Sequence, residues 1–224
     1  MHRILEPELM TGDEQARAYA QADFEEPHSM FIDLFLRHFP NEQINGHVLD
    51  LGCGTADITR RFAQTFKCQI DGIDASKQML KYGQQTIETY KLAERVKLIQ
   101  GYLPKFPLSL AHYDTVISNS LLHHLPNPNV LWNTIKKVAK PVAPIFIMDL
   151  MRPESYAQVE IMVNQYVKNE PRLLQQDFYH SLLAAFRIEE VEAQLQSVGL
   201  EHLMVQEVSD RHFIVTGRLF PNKK

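Results

Sequence analysis

Two glycines and an aspartate that follow predicted strands are the residues of this sequence best suited to hold a ligand. The segment Val48–Asp57 runs from an apolar strand through Gly52 and Gly54 into a predicted helix. Glycines allow a tight turn and a close approach of the backbone to a ligand, and the helix N-terminus supplies unpaired N–H groups. Twenty residues after Gly54, the next predicted strand ends at Asp74, whose carboxylate can accept both hydroxyls of a ribose. This spacing predicts a site for a nucleoside-bearing ligand.

A second polar group follows the fourth predicted strand. It begins with Asn119 and Ser120, and the adjacent histidines His123 and His124 follow before a Leu-Pro step. Ligands bind at the carboxyl ends of the strands in open α/β folds, so this is the expected reaction face. A histidine whose pKa lies near neutral pH can accept a proton from a hydroxyl or a carbon acid, and we favour His124 over His123 for that role. Because adjacent side chains point in different directions, we predict no metal at the two rings.

Five short runs rich in Val and Ile predict the strands that position these residues. They are Val48–Leu51, Gln69–Ile73, Val96–Ile99, Thr115–Ser118 and Ile145–Asp149. Each run is followed by a longer stretch with helical character. Alternating strands and helices form a mostly parallel sheet with helices on both faces, joined by right-handed crossovers, which predicts an α/β fold.

Helical segments precede and follow the predicted core. Residues 1–45 are predicted to form cap helices, since Ser29–Phe39 places its apolar side chains on one helical face. Residues 152–186 are helix-like and rich in Tyr and Gln, which favours a lid or substrate segment. Further polar or aromatic residues that could meet a substrate are His28, Arg152, Tyr156, Tyr179 and His180.

The last part of the chain, residues 187–224, predicts a final helix and a closing hairpin. The hairpin strands are the β-like runs Leu203–Val208 and His212–Gly217, and we interpret Arg211 between them as a turn charge. The whole chain is predicted to be a single domain whose cofactor-binding core spans residues 46–151.

Composition excludes several classes of protein. The chain has 224 residues, of which 45% are hydrophobic and 22% charged, so it can form a packed core. Its 23 Lys and Arg against 27 Asp and Glu give a net charge of -4, which disfavours a nucleic-acid partner. The two cysteines, Cys53 and Cys68, are too few for a disulfide framework and predict a reducing, cytoplasmic setting. We interpret Cys53 as a small buried side chain, and no segment predicts a membrane span.

The glycine turn and the strand that follows it resemble the class I S-adenosylmethionine-dependent methyltransferases. The first motif of that family is similar to Asp50-Leu51-Gly52-Cys53-Gly54-Thr55, its second motif ends like Asp74, and the resemblance extends from Val48 to Met151. It implies a Rossmann-like three-layer sandwich with a mostly parallel seven-stranded sheet whose last strand is antiparallel. It also implies S-adenosyl-L-methionine as cofactor and S-adenosyl-L-homocysteine as product.

The resemblance further implies which residues contact the cofactor. Asp74 would bind the ribose, the loop Gly52–Gly54 would lie against the methionine part, Met79 would lie near adenine, and Tyr19 would cover the cofactor. The full predicted set is Tyr19, Asp50, Gly52, Cys53, Gly54, Asp74, Ala75, Met79, Gly101, Tyr102, Asn119 and Ser120.

Two positions depart from the family pattern. Gly101-Tyr102 stands where the family usually has a glycine followed by an aspartate, so the carboxylate expected near the adenine amine is missing. Ala56 replaces a frequent glycine, a change that a small side chain should tolerate. The histidine motif resembles that of small-molecule methyltransferases and lacks the Asn-Pro-Pro-Tyr pattern of enzymes that methylate exocyclic amines.

These motifs predict methyl transfer to a small organic acceptor, with His124 or His123 as catalytic residue and an oligomeric state that the sequence leaves open. Methylation of tRNA or rRNA is an alternative, since the fold does not fix the acceptor. A cofactor-binding scaffold without transfer is another, motivated by Tyr102. A nicotinamide oxidoreductase is disfavoured because Asp57 replaces the third glycine and would repel a pyrophosphate.

Overall fold

One seven-stranded sheet forms the centre of the fold. The computed structural model describes residues 1–6 and 12–220. Its strands are β1 His47–Leu51, β2 Gln69–Asp74, β3 Val96–Gln100, β4 Thr115–Asn119, β5 Pro144–Leu150, β6 Met204–Glu207 and β7 His212–Arg218. Their order across the sheet is β3-β2-β1-β4-β5-β7-β6. The first five strands run parallel, and β7 inserts between β5 and β6 antiparallel to both. The predicted α/β fold, Rossmann-like with an antiparallel last strand, is confirmed.

The strand order reverses between β1 and β4. Such a reversal opens a crevice at the carboxyl ends of the two strands, which is where ligands bind in folds of this type. The two strands pair in register, with Leu51 beside Ser118. Gly52 follows Leu51 directly, and Asn119 ends the neighbouring strand, so the sheet brings both predicted motifs to one edge.

Helices cover both faces of the sheet. They are α1 Asp13–Gln21, α2 Glu25–His38, α3 Asp57–Thr65, α4 Lys77–Thr89, α5 Asn129–Val138, α6 Tyr156–Tyr166, α7 Arg172–Ala184 and α8 Ile188–Ser197, with a 3-10 turn over Leu122–His124. On one face, Phe35 of α2 packs edge-on against Phe62 of α3, with ring centroids 4.9 Å apart. On the other, α5 buries Trp132, whose indole N–H donates to Gln194 of α8.

The connection from β3 to β4 differs from the expectation that every strand is followed by a helix. The described loop 101–114 contains no helix. Pro104 and Pro107 each lack a backbone N–H and have a fixed φ, which prevents a regular helix from continuing through them. Phe106 and Leu108 instead pack against the core beside the sheet, where a crossover helix would otherwise lie.

The helices α6 and α7 form the segment that was predicted as a lid, and they pack on each other through Val159, Leu182 and Leu183. Serine caps the start of α6, where Ser155 accepts a hydrogen bond from the Gln158 N–H. Every helix in the described part of the chain is too short or too polar to traverse a bilayer.

Candidate functional site

A cavity of about 460 Å³ opens at the carboxyl edge of the sheet, beneath α6 and α7. All the residues predicted from the sequence for cofactor binding and catalysis line it. They are Tyr19, Asp50, Gly52, Cys53, Gly54, Asp74, Ala75, Met79, Gly101, Tyr102, Asn119, Ser120, His123 and His124. The structure therefore brings together side chains that come from the cap helices, four strand ends and the 3-10 turn.

The glycine turn is held by Asp74. One carboxylate oxygen accepts the Gly54 N–H at 2.9 Å, and the other accepts the Ser76 N–H at 2.7 Å. Gly54 has φ +52°, and an added Cβ would meet no atom within 4 Å, so open space lies directly above the backbone. Gly52 has φ +75°, and its Cβ would lie 2.9 Å from Cβ of Leu121. The turn thus needs glycine at both positions, for different reasons.

Ala56 ends the turn in the left-handed region, with φ 62°. A residue with a Cβ in this region costs about 1–2 kcal/mol, so alanine is tolerated here with some strain.

Asp50 lies below the turn, where its Oδ2 accepts the Thr59 hydroxyl at 2.6 Å and burial raises its pKa to about 7. Burial also raises the pKa of the Cys53 thiol, which keeps this side chain protonated.

Asn119 provides a test of whether the cavity suits the cofactor of the resembling family. Its Oδ1 is buried and receives no hydrogen bond from any described residue. A buried acceptor that receives no hydrogen bond costs free energy, which indicates that a ligand donates a hydrogen bond to this oxygen. Together with the open space above Gly54 and the free lone pairs of Asp74, this arrangement fits an amino- and hydroxyl-bearing nucleoside such as S-adenosylmethionine.

The two histidines are much closer together than the sequence suggested. Their ring centroids are 4.1 Å apart with an interplanar angle of 38°. The prediction that adjacent side chains point apart was wrong here, because both residues lie in a single 3-10 turn rather than in an extended strand or a regular helix. The His123 side chain is 2% exposed and that of His124 18% exposed, so His124 is the more accessible.

Asp149, at the end of β5, fixes the inner histidine. Its Oδ1 lies 2.5 Å from Nδ1 of His123, and its Oδ2 accepts the Leu122 N–H at 2.7 Å. Burial on its own lowers the pKa of His123, but the carboxylates of Asp149 and Glu6 outweigh burial and raise it. The contact between Nδ1 of His123 and Asp149 therefore fixes the orientation of the buried ring.

Glu6, which the sequence analysis missed, binds the outer histidine. Its Oε2 lies 2.5 Å from Nδ1 of His124, and its Oε1 lies 3.8 Å from Nε2 of His123 and accepts the Ser181 hydroxyl at 2.6 Å. The chain reaches this position because Arg3 donates to the carbonyls of His123 and Leu125. Sequence offers no signal for this contact, since Glu6 lies more than a hundred residues from its partners.

The stability that Glu6 contributes should depend on pH. Burial alone raises the pKa of Glu6, but the hydrogen bond and the charge of His124 lower it from 4.5 to about 2. A lowered folded-state pKa stabilises the fold above the unfolded value and loses that effect as the pH falls through the folded value. We expect the difference in free energy of unfolding between wild type and Glu6→Gln to shrink as the pH falls from about 4.5 to about 2. Urea unfolding at several pH values measures it. The exposed Glu160→Gln is the control, and a difference that does not change with pH would contradict the ion pair.

Asp57 lies in an ion-pair network at the cap side of the cavity. Its Oδ2 is 2.7 Å from Nδ1 of His28 and 2.6 Å from Nε of Arg61, and Arg60 binds the other oxygen. Burial acts to raise the pKa of Asp57, but these partners lower it overall. The negative charge of Asp57 is therefore balanced by these three partners, and its carboxylate is not simply solvated. Phe24 stacks between Tyr19 and His28, at 4.6 and 5.2 Å, and extends the cavity wall.

Several predicted substrate contacts lie elsewhere. Arg152 is buried in an ion pair with Glu190, and Tyr156 is exposed on α6. Tyr179 and His180 line a separate surface depression of α7, because the opposite face of that helix lines the cavity. These four residues do not line the cavity.

Arg211 was interpreted as a turn charge, and this was wrong. Its side chain is 9% exposed and lines the cavity, where the guanidinium stacks on the Tyr166 ring with its central carbon 3.6 Å from the ring centroid. The sequence did not indicate this role, because Arg211 lies in a hairpin turn that contacts the end of α6. The α7 residues Leu174, Asp177, Phe178 and Ser181 also line the cavity and were missed, although their spacing marks one helical face.

Comparison with known proteins gives the family. A family model described as "Methyltransferase domain" matches residues 43–203. A demethylmenaquinone methyltransferase of Lactiplantibacillus plantarum is 33% identical over 112 residues, which cover 49% of this chain and 47% of that protein. A malonyl-[acyl-carrier protein] O-methyltransferase of Halalkalibacterium halodurans is 31% identical over 98 residues, 42% of this chain and 35% of that protein. The match thus spans less than half the length of either curated relative.

The fold comparison agrees with the family model. A SAM-dependent methyltransferase from Aquifex aeolicus superposes with a TM-score of 0.69 at 19% identity, covering 92% of this chain and 98% of that one. At such a low identity the similarity shows the fold only. The family assignment rests on the family model, which covers most of the chain. The chain therefore belongs to the methyltransferase domain family, within the class I S-adenosylmethionine-dependent methyltransferases, as the motifs at Gly52 and Asp74 predicted.

Proposed function

We propose that the protein transfers a methyl group from S-adenosylmethionine to a small organic acceptor held between the 3-10 turn and α7. One observation carries the proposal, namely that the glycine turn with Asp74 and the histidine pair face the same cavity. Proximity and orientation supply much of the rate of such a displacement, because the leaving group is already activated. A cavity that holds both partners side by side suits that chemistry.

The cofactor would be held by four kinds of contact. Asp74 would accept the ribose hydroxyls, and the backbone of Gly52–Gly54 would approach the methionine part. Asn119 would use its unpaired Oδ1 to accept from an amino group, and Met79, which is buried beside the cavity, would pack on adenine. When bound, S-adenosylmethionine supplies an electrophilic methyl group on a sulfonium sulfur.

His124 is our proposed proton acceptor. Glu6 bonds its Nδ1, which favours the tautomer whose Nε2 carries the lone pair. That nitrogen has no hydrogen-bond partner among residues 1–6 and 12–220. His123 would act as a positioning residue, since Asp149 occupies its Nδ1 and burial restricts its contact with an acceptor. A proton of the acceptor would therefore pass to Nε2 of His124.

The walls of the cavity favour a small acceptor over a nucleic acid. Leu174 and Phe178 of α7 provide apolar surface above the histidines. Among the described lining residues, Arg211 is the only Arg or Lys, against several carboxylates, and phosphate-rich partners need basic surfaces. The names of the relatives refer to acceptors as different as demethylmenaquinone and a malonyl-[acyl-carrier protein], so they leave the methylated atom open. We place the activity of this single domain in the cytoplasm, where Cys53 and Cys68 remain free thiols.

Turnover with a panel of acceptors tests the proposal. The protein is incubated with S-adenosylmethionine and small hydroxyl, amine, thiol and carbon-acid compounds, and S-adenosylhomocysteine release and acceptor mass are measured together. We expect at least one compound to gain a methyl group. Saturable binding of S-adenosylhomocysteine without a product from any compound would favour the scaffold instead. A product formed only with RNA would replace the small acceptor with a nucleic acid.

A further inference from the structure

We propose that Glu6, His123 and His124 form a binding site for a divalent transition metal, most readily Zn²⁺, with one coordination position open to the cavity. This inference goes beyond methyl transfer, because metal binding can be measured whether or not an acceptor is known. It rests on the proposed function only for what the open position would hold.

The three side chains already converge as metal ligands. One ring nitrogen of His123, one of His124 and a carboxylate oxygen of Glu6 all lie within 4.8 Å of one another. With bonds of about 2.1 Å to Zn²⁺, tetrahedral ligand atoms are about 3.4 Å apart. The 3.8 Å separation between Oε1 of Glu6 and Nε2 of His123 is close to that value. Oε2 of Glu6 lies 2.5 Å from Nδ1 of His124, so a metal on Nδ1 would replace the proton of that contact. Nε2 of His124 would then carry the N–H, and the metal-bound form would not use Nε2 as the proton acceptor.

Neighbouring groups hold these ligands in the orientation that a metal needs. Asp149 accepts from Nδ1 of His123 at 2.5 Å, which leaves Nε2 with the lone pair that points towards Glu6. A carboxylate behind a histidine in this way fixes the ring and raises its basicity as a ligand. Ser181 performs the same orienting role for Glu6 by donating at 2.6 Å to its Oε1.

The charge of the surroundings favours a cation. With both histidines neutral, Glu6 and Asp149 bring two negative charges to the cluster, and Asp177 brings a third from α7. Asp177 has a buried Oδ2 that bonds no described residue, while its Oδ1 accepts a hydrogen bond from the Gln15 amide at 2.8 Å. The Arg3 guanidinium, which donates to main-chain carbonyls, offsets one of these three charges and leaves a net negative charge. A divalent ion would offset this excess of negative charge.

The ligand set indicates the type of metal and its use. Two histidines and one glutamate, with a fourth position free, are a ligand set of catalytic zinc sites, and imidazole ligands also suit Co²⁺. Both histidines line the same cavity as Asp74. An oxygen, nitrogen or sulfur atom of the acceptor could therefore occupy the fourth position, where the cation would lower its pKa.

Titration with ZnCl₂ tests the site. Protein treated with a chelator and then freed of it is titrated by isothermal calorimetry, and Co²⁺ is added in parallel to follow ligand-field absorption bands. We expect one equivalent to bind. Glu6→Gln should weaken binding by at least about 10-fold, His124→Asn should do the same, and Asp149→Asn should weaken it by about 10–100-fold. His112→Gln is the control, because His112 and His47 form another close histidine pair, with ring centroids 4.8 Å apart.

Three results would overturn the inference. These are no binding by the wild type, unchanged binding in both Glu6→Gln and His124→Asn, and loss of binding in His112→Gln. Circular dichroism and S-adenosylhomocysteine binding of each variant show whether it folds. A protein that binds the metal but not S-adenosylhomocysteine would contradict the proposed function and leave the metal site standing.

Discussion

Asp74→Asn should weaken the binding of S-adenosylhomocysteine by at least about 100-fold. The carboxylate organises the turn through the Gly54 and Ser76 N–H groups and keeps lone pairs for the ribose. Asparagine replaces the charged acceptor of the two ribose hydroxyls by a neutral amide, and its N–H group also opposes one of the backbone donors. Two hydrogen bonds to a charged group contribute about 1.5–3 kcal/mol each, and about 1.4 kcal/mol corresponds to a factor of ten. Isothermal calorimetry with purified protein measures the change.

Asp71→Asn is the matched control for this experiment. Asp71 lies on the same strand and is half-buried, and it accepts a hydrogen bond from the Tyr113 hydroxyl at 2.9 Å. We expect this variant to bind S-adenosylhomocysteine as the wild type does. Equal affinity of wild type and Asp74→Asn would remove the ribose role from Asp74, and an equal loss in both variants would indicate damage to β2 rather than a missing contact.

His124→Asn should lower kcat by about 10²–10⁴-fold with an acceptor that must lose a proton, since that is the contribution of a positioned base. Asparagine keeps a polar side chain of similar reach but cannot accept the proton. The affinity for S-adenosylhomocysteine should stay within about twofold, because the cofactor contacts are made by the turn. Single-turnover kinetics combined with calorimetry separates the two effects.

His180→Asn serves as the control for the loss of a histidine. His180 is exposed on α7 and faces away from the cavity. Its replacement should leave kcat and cofactor affinity unchanged. If His124→Asn keeps the wild-type kcat with an acceptor hydroxyl, the histidine orients the acceptor and proximity alone supplies the rate. A rate that falls only through a higher KM would assign His124 to binding.

The central cofactor-binding residues could be predicted because they lie just after the ends of predicted strands. Gly52, Gly54 and Asp74 follow the ends of two adjacent parallel strands, and strand pairing then decides where they meet. The same rule would have found Asp149 at the end of β5, since polar residues at strand ends were the signal that singled out Asn119.

The acceptor side could not be predicted to the same extent. Glu6 reaches the histidines through contacts of Arg3 with main-chain carbonyls, and such contacts leave no trace in the periodicity of the sequence. Proximity of the two rings also escaped prediction, because it depends on a 3-10 turn three residues long. Cys53 is buried, as was expected for a small apolar side chain in that position, and so is Cys68.

The contact between Gly52 and Leu121 has an evolutionary consequence. A methyl group on residue 52 would lie 2.9 Å from Cβ of Leu121, and Leu121 immediately precedes the turn that carries both histidines. Any substitution at 52 would therefore require Leu121 or the glycine turn to shift. Across a set of homologous sequences, position 52 should therefore remain glycine, and a library for altered acceptor use should keep it fixed and randomise position 121 instead.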